Sequence, residues 1–113
     1  MAILHAKSGE VIDIRPLGSS LAQAKTTTLV KSGDLEVIRL VVPAGKEIKT
    51  HTAPGPITVQ CLEGRVSFSA QGRSEELDAG RFLFLSAGEP HALLGIEDSS
   101  LLVTLLLTSN KSS

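Results

Sequence analysis

Runs of four to eight residues rich in Val, Ile, Leu and Thr alternate along this chain with clusters of Gly, Pro, Asp and Ser. The runs predict β-strands near residues 10–15, 26–31, 35–42, 46–51, 57–62, 65–70, 73–77, 82–85, 91–96 and 100–108. The breaks between them, such as Pro43-Ala44-Gly45, Glu63-Gly64, Asp78-Ala79-Gly80 and Gly88-Glu89-Pro90, carry the residues that preset turns or tolerate unusual backbone angles. No window of ten or more residues holds a helical apolar period, and Ser19–Ala24 has room for one helical turn. Many short strands at this spacing predict an all-β sandwich or barrel.

Two segments say more about packing. Arg65–Ala70 alternates cleanly, so Val66, Phe68 and Ala70 share a buried face. With Glu63-Gly64 between them, Ile57–Leu62 and Arg65–Ala70 read as a hairpin. Leu101–Leu107 is apolar on both faces, so each face needs a cover, from the chain itself or from a second copy. A symmetric homodimer covers the outer face, and residues 10–15, with Val11, Ile12 and Ile14, are placed to cross to the partner. The polar tail 109–113 reads as frayed.

Composition narrows the function classes. The 113 residues suit one domain, numbered 1–113 as a whole. Lys plus Arg is 11 against 12 for Asp plus Glu, without clustering, which argues against nucleic acid. Trp and Tyr are absent and Phe occurs three times, which leaves little for base stacking. The apolar run at 101–107 is too short to span a bilayer, so no membrane partner is expected. A single cysteine, Cys61, excludes an internal disulfide framework and reads as a small buried side chain. With an N-terminus that lacks a basic region before a long apolar run, the expected compartment is the cytoplasm.

The chemistry-bearing residues fall in two spaced motifs. Gly45-Lys46-Glu47-Ile48-Lys49-Thr50-His51 is followed by Pro54-Gly55 and by Val59-Gln60-Cys61-Leu62-Glu63-Gly64. Gly80–Ser86 then leads through Ala87-Gly88-Glu89-Pro90 to His91. Together these resemble the paired motifs of the cupin superfamily, over residues 35–107. The resemblance implies a single cupin-like domain of the RmlC type, an antiparallel jelly-roll barrel. Its core would span 26–108, with the strand segment 10–15 before it.

Metal-binding cupins carry two histidines and a Glu or Gln in the first motif and a third histidine in the second. Carried over by position, His51 matches the first histidine and His91 the last, while Ala53 and Ile57 stand at the other two positions. Two imidazoles fall short of the three protein ligands of a catalytic zinc and of the facial triad of an iron oxygenase. Glu47 shares strand parity with His51 but lies about 13 Å away along an extended strand. Glu89, in the turn before His91, is the candidate third ligand, and Gln60 has the wrong parity to face inward. The resulting expectation is a small-molecule-binding barrel with a reduced metal cup. Its pocket candidates are His51, Ala53, Ile57, Val59 and His91, with His51 and His91 holding at most a weakly bound divalent transition metal. The competing expectation is a metal-dependent isomerase or dioxygenase that completes its ligand set with a third residue.

Overall fold

The computed structural model describes residues 5–107; the predicted frayed tail 109–113 lies outside them. Among the described residues nine strands form: β1 Thr27–Lys31, β2 Leu35–Val42, β3 Glu47–His51, β4 Ile57–Glu63, β5 Arg65–Ala70, β6 Arg73–Asp78, β7 Phe82–Leu85, β8 His91–Gly95 and β9 Ser99–Leu106. A 3-10 helix at Gly18–Gln23 precedes them, about where a single helical turn is expected. The strands make two antiparallel sheets, ordered β1-β2-β9-β4-β7 and β3-β8-β5-β6, and the fold is an all-β jelly roll.

The core lies between the sheets. Val42, Ile57, Val59, Cys61 and Leu101 come from the first, and Val66, Phe68, Leu77 and Leu93 from the second. Each large apolar side chain removed from water here contributes about 1.5–3 kcal/mol. The alternation along β5 is realised: Val66 and Phe68 are buried, and Ala70 packs against the same cluster.

The expected hairpin between 57–62 and 65–70 does not form. β4 pairs with β7 and β9, whereas β5 pairs with β6 and β8, so the chain changes sheets at Gly64. Glu63-Gly64 has the length of a hairpin turn, but Gly64 packs onto the start of β9 and the chain crosses to the second sheet there. Its φ is 85°, and a Cβ would collide with the Asp98 carbonyl and with Ser99. Ser99 locks this corner: its buried hydroxyl accepts from the Arg65 N–H at 2.8 Å and lies 2.7 Å from the Glu97 carbonyl.

The segment 10–15 is not a strand. Its alternation is real, with Ile12 and Ile14 half-buried and Val11 97% exposed. Its carbonyls are nevertheless taken by a side chain rather than by a ladder. Arg39 of β2 donates to the Asp13 carbonyl at 3.1 Å and to the Arg15 carbonyl at 3.2 Å, which holds the segment on its own sheet. Glu63 fastens the next residues, accepting from the N–H groups of Leu17 and Gly18 and from the Ser100 hydroxyl at 2.6 Å. β9 sits in the middle of its sheet, between β2 and β4; Leu101, Val103 and Leu105 turn to the core, while Leu102, Thr104 and Leu106 lie on the outer face, where Leu106 is exposed.

Two outcomes follow from this architecture. Gly64→Ala should cost about 2–4 kcal/mol in urea unfolding, because a clash and a strained φ coincide. Gly33→Ala, which meets open space at an ordinary φ, should change stability little. Partial burial pushes the Glu63 carboxyl upward, but its hydrogen bonds from Ser100, Leu17 and Gly18 and the Arg39 charge outweigh this and hold it below the ordinary value of 4.5. The stability it contributes is therefore present above pH 4.5 and is lost as pH falls through its depressed folded value. Glu63→Gln should flatten the acid limb of the stability–pH curve; an unchanged limb would exclude Glu63 as its source.

Candidate functional site

β3 and β8 pair side by side in the second sheet, and His51 stands opposite His91. This pairing depends on an irregularity. Ile48 pairs with Leu93 and His51 with His91, so three steps on β3 match two on β8. That extra residue is a β-bulge, and it reverses the inward–outward alternation along β3. Ile48 and His51 therefore both face the interior, where strict alternation would have turned one of them out. The bulge also corrects the parity assigned to Glu47, which pairs with outward-facing, exposed Leu94 and does not share the face of His51.

The two imidazoles meet edge to face with ring centroids 4.3 Å apart. His91 is further stacked on Phe68, at 5.6 Å and an interplanar angle of 9°. Each ring is fixed by the same local device. Nδ1 of His51 lies 2.9 Å from the Lys49 carbonyl, and Nδ1 of His91 lies 2.9 Å from the Glu89 carbonyl. A carbonyl only accepts, so in the neutral rings Nδ1 carries the proton and Nε2 keeps its lone pair. His51 is exposed, at the mouth of the interior, whereas His91 is only 6% exposed.

Behind them lies a cavity of about 220 Å³ between the two sheets. Ile57 and Val59 of β4 and Val103 and Leu105 of β9 form one wall, and Phe68 and Leu93 part of the other. His51, His91, Ile57 and Val59, four of the five pocket candidates, line this one cavity. Ala53 does not; it packs against the core from the loop before β4. Gln60 pairs with Leu102 and Phe82 on the opposite face of the sheet, as its parity predicts.

Glu89 does not join the histidines. Its carboxylate accepts from Gln71 Nε2 at 3.3 Å, and it lines an open depression of about 380 Å³ beside the β5–β6 turn, to which His91 also contributes. Only its backbone carbonyl serves the site. Cys61 is fully buried, and burial pushes its thiol upward, away from the thiolate that reactivity needs. Among the described residues no cluster of three or more His, Cys, Asp or Glu side chains forms. The donor set thus does not fit a resident transition metal, since Ile57 offers a hydrocarbon where the cupin pattern has a Glu or Gln.

The comparisons agree on the architecture. No known protein-family pattern matches the chain, and no curated protein sequence does. Solved structures match with high probability. A cupin superfamily protein from Desulfitobacterium hafniense superposes with a TM-score of 0.75 at 16% identity, covering 91% of this chain and 100% of its own. An RmlC-like cupin from Shewanella frigidimarina gives a TM-score of 0.72 at 19% identity, covering 96% of this chain and 95% of its own. A conserved protein of unknown function from Streptococcus pyogenes gives 0.72 at 24% identity, covering 97% of each chain. The chain has the fold of a small, single-domain cupin.

Sequence reasoning did not find the role of Phe68, which fixes the plane of His91, or that of Ile38, Leu40 and Ile48 in closing the cavity. The alternation of β5 and β2 marks all but Ile48 as inward-facing. Which inward residues leave a space between them is a matter of packing.

Proposed function

We propose that this protein is a small-molecule-binding cupin whose barrel holds a largely apolar ligand, with His51 and His91 at the entrance and no tightly held metal. The observation that carries this reading is the lining. The two imidazoles are its polar side chains, and every other side chain around the cavity is aliphatic or phenyl. An apolar cavity of about 150 Å³ accepts benzene, so about 220 Å³ suits a single substituted ring or a short branched chain. Two imidazoles leave most of a metal's coordination sphere to water, which limits a divalent ion to weak binding.

The compartment that fits is the cytoplasm, with a lone buried cysteine and no disulfide. Among the described residues no helix is long and apolar enough to cross a membrane. The partner that fits the outer surface of the first sheet is a second copy of this chain. Among the described residues β7 is an edge strand of its sheet, its Phe82 and Phe84 are each 61% exposed, and Leu106 is exposed nearby on the sheet. The strand positions paired with these phenylalanines, Gln60 and Thr58, are uncharged. Nucleic acid does not suit so balanced a charge.

Calorimetric titration with toluene should give one saturable site per chain, and Ile57→Phe, which fills the cavity, should abolish it while the fold persists. Elemental analysis of protein purified without an affinity tag should find well under one transition metal per chain. A stoichiometric metal that survives dialysis against a chelator would overturn the reading. Light scattering at micromolar concentration should return a dimer, and the double variant Phe82→Glu, Phe84→Glu a monomer. A monomeric wild type sinks the dimer.

A further inference from the structure

Among the described residues His91 presents a buried acceptor with no partner. The residue is only 6% exposed. Nδ1 is spent on the Glu89 carbonyl, and no donor among the described residues reaches Nε2 on the other side of the ring. Phe68 stacks on one face of this imidazole and the His51 ring meets it edge to face, so it has little freedom to turn toward a partner elsewhere. A buried acceptor left unmade carries the full cost of its lost hydration, and native proteins leave few such groups. The ring borders the cavity, and everything else there except His51 is hydrocarbon.

We infer that the cavity's ligand is a neutral molecule with one hydroxyl donor on a compact apolar ring, of the phenol type, and that this O–H donates to Nε2 of His91. This deepens the binding function proposed above and rests on it. Charge decides against the main alternatives. Among the described residues no Lys or Arg lines the cavity, so a carboxylate would find a counter-charge only by adding a proton to one of the two imidazoles. No Asp or Glu lines it either, which disfavours an ammonium. A primary or secondary amide would satisfy Nε2 but bury a strong carbonyl acceptor for which the lining has no donor. A phenolic hydroxyl supplies the one donor needed, and its aromatic body suits walls made of Ile57, Val59, Phe68, Leu93 and Val103. His51, at the mouth, closes over the hydroxyl end and keeps its own Nε2 within reach of solvent.

Phenol and toluene provide the test, because they differ only by O–H for CH₃. In a cavity without an acceptor, burying the hydroxyl penalises phenol by more than about tenfold relative to toluene. With Nε2 of His91 accepting, phenol should bind at least as tightly as toluene by calorimetry, and benzoate at neutral pH should not bind. His91→Leu should restore a preference for toluene of about tenfold or more. If that variant folds poorly, long-range proton–nitrogen spectra of the wild type give an independent readout: the Nε2 resonance of His91 should move with phenol and stay in place with toluene. Toluene binding more than tenfold tighter than phenol, or benzoate binding tighter than both, overturns the hydroxyl-donor assignment and leaves the apolar cavity standing. Failure of all three probes to bind overturns the cavity reading itself.

Discussion

The corner at Gly64 is the constraint on which the rest of this barrel depends. There the chain leaves the first sheet and enters the second, and the start of β9 packs directly over it. Ser99 makes the contact specific, because its fully buried hydroxyl serves the Arg65 N–H and lies against the carbonyls of Arg65 and Glu97. The next residue, Ser100, is equally buried and donates to Glu63. Two consecutive serines thus tie the sheet crossing to the central strand on one side and to the N-terminal segment on the other. Polar groups so deep are tolerable only when satisfied, and here their bonds fix the register that β4 and β9 share.

The N-terminal segment shows how a fold can use side chains where a strand would use its backbone. Residues 13–18 cross the outer face of the first sheet without joining its ladder, held by the Arg39 guanidinium at one point and the Glu63 carboxylate at another. Arg39 is consequently among the most buried charged residues of the protein, facing away from the core that its neighbours Ile38 and Leu40 enter. Its fork-shaped donor set suits two carbonyls at once, a task that a lysine ammonium would serve less well.

Most of the fold was legible because period-two patterning and turn chemistry agree along most of the chain. Nine of the ten expected strands form, with ends displaced by one residue or so. The failures have physical causes. Residues 10–15 alternate as a strand does, but alternation reports which face is buried and is silent on whether the backbone finds a ladder. The supposed hairpin at Glu63-Gly64 has the length and glycine of a tight turn, and only the tertiary contact with Ser99 reveals a sheet crossing. At the site, the placement of His51 and His91 together is what the resemblance to the two cupin motifs implies. The parity of Glu47 was misread because a bulge between Ile48 and His51 has no signature in the residues that make it. Ala53 fell outside the cavity for the related reason that it belongs to a loop, where counting by twos has no meaning.

The bulge also decides what kind of chemistry the cup can perform. By turning His51 inward beside Ile48, it brings two imidazoles within 4.3 Å while leaving a hydrocarbon floor beneath them. A carboxylate at position 57 would need a metal or a cation to neutralise it at this depth; isoleucine needs none and adds apolar lining instead. With both Nδ1 atoms committed to backbone carbonyls of their own segments, the rings keep one tautomer and one orientation whether or not a metal is present. In the proposed reading, backbone restraints of the kind that would orient metal ligands serve instead to aim the Nε2 acceptor of His91 at an organic guest. In the proposed reading, the hydrocarbon side chains of Ala53 and Ile57, at the two remaining ligand positions of the cupin pattern, move this barrel from coordination toward hydrophobic binding while both histidines keep their orientation.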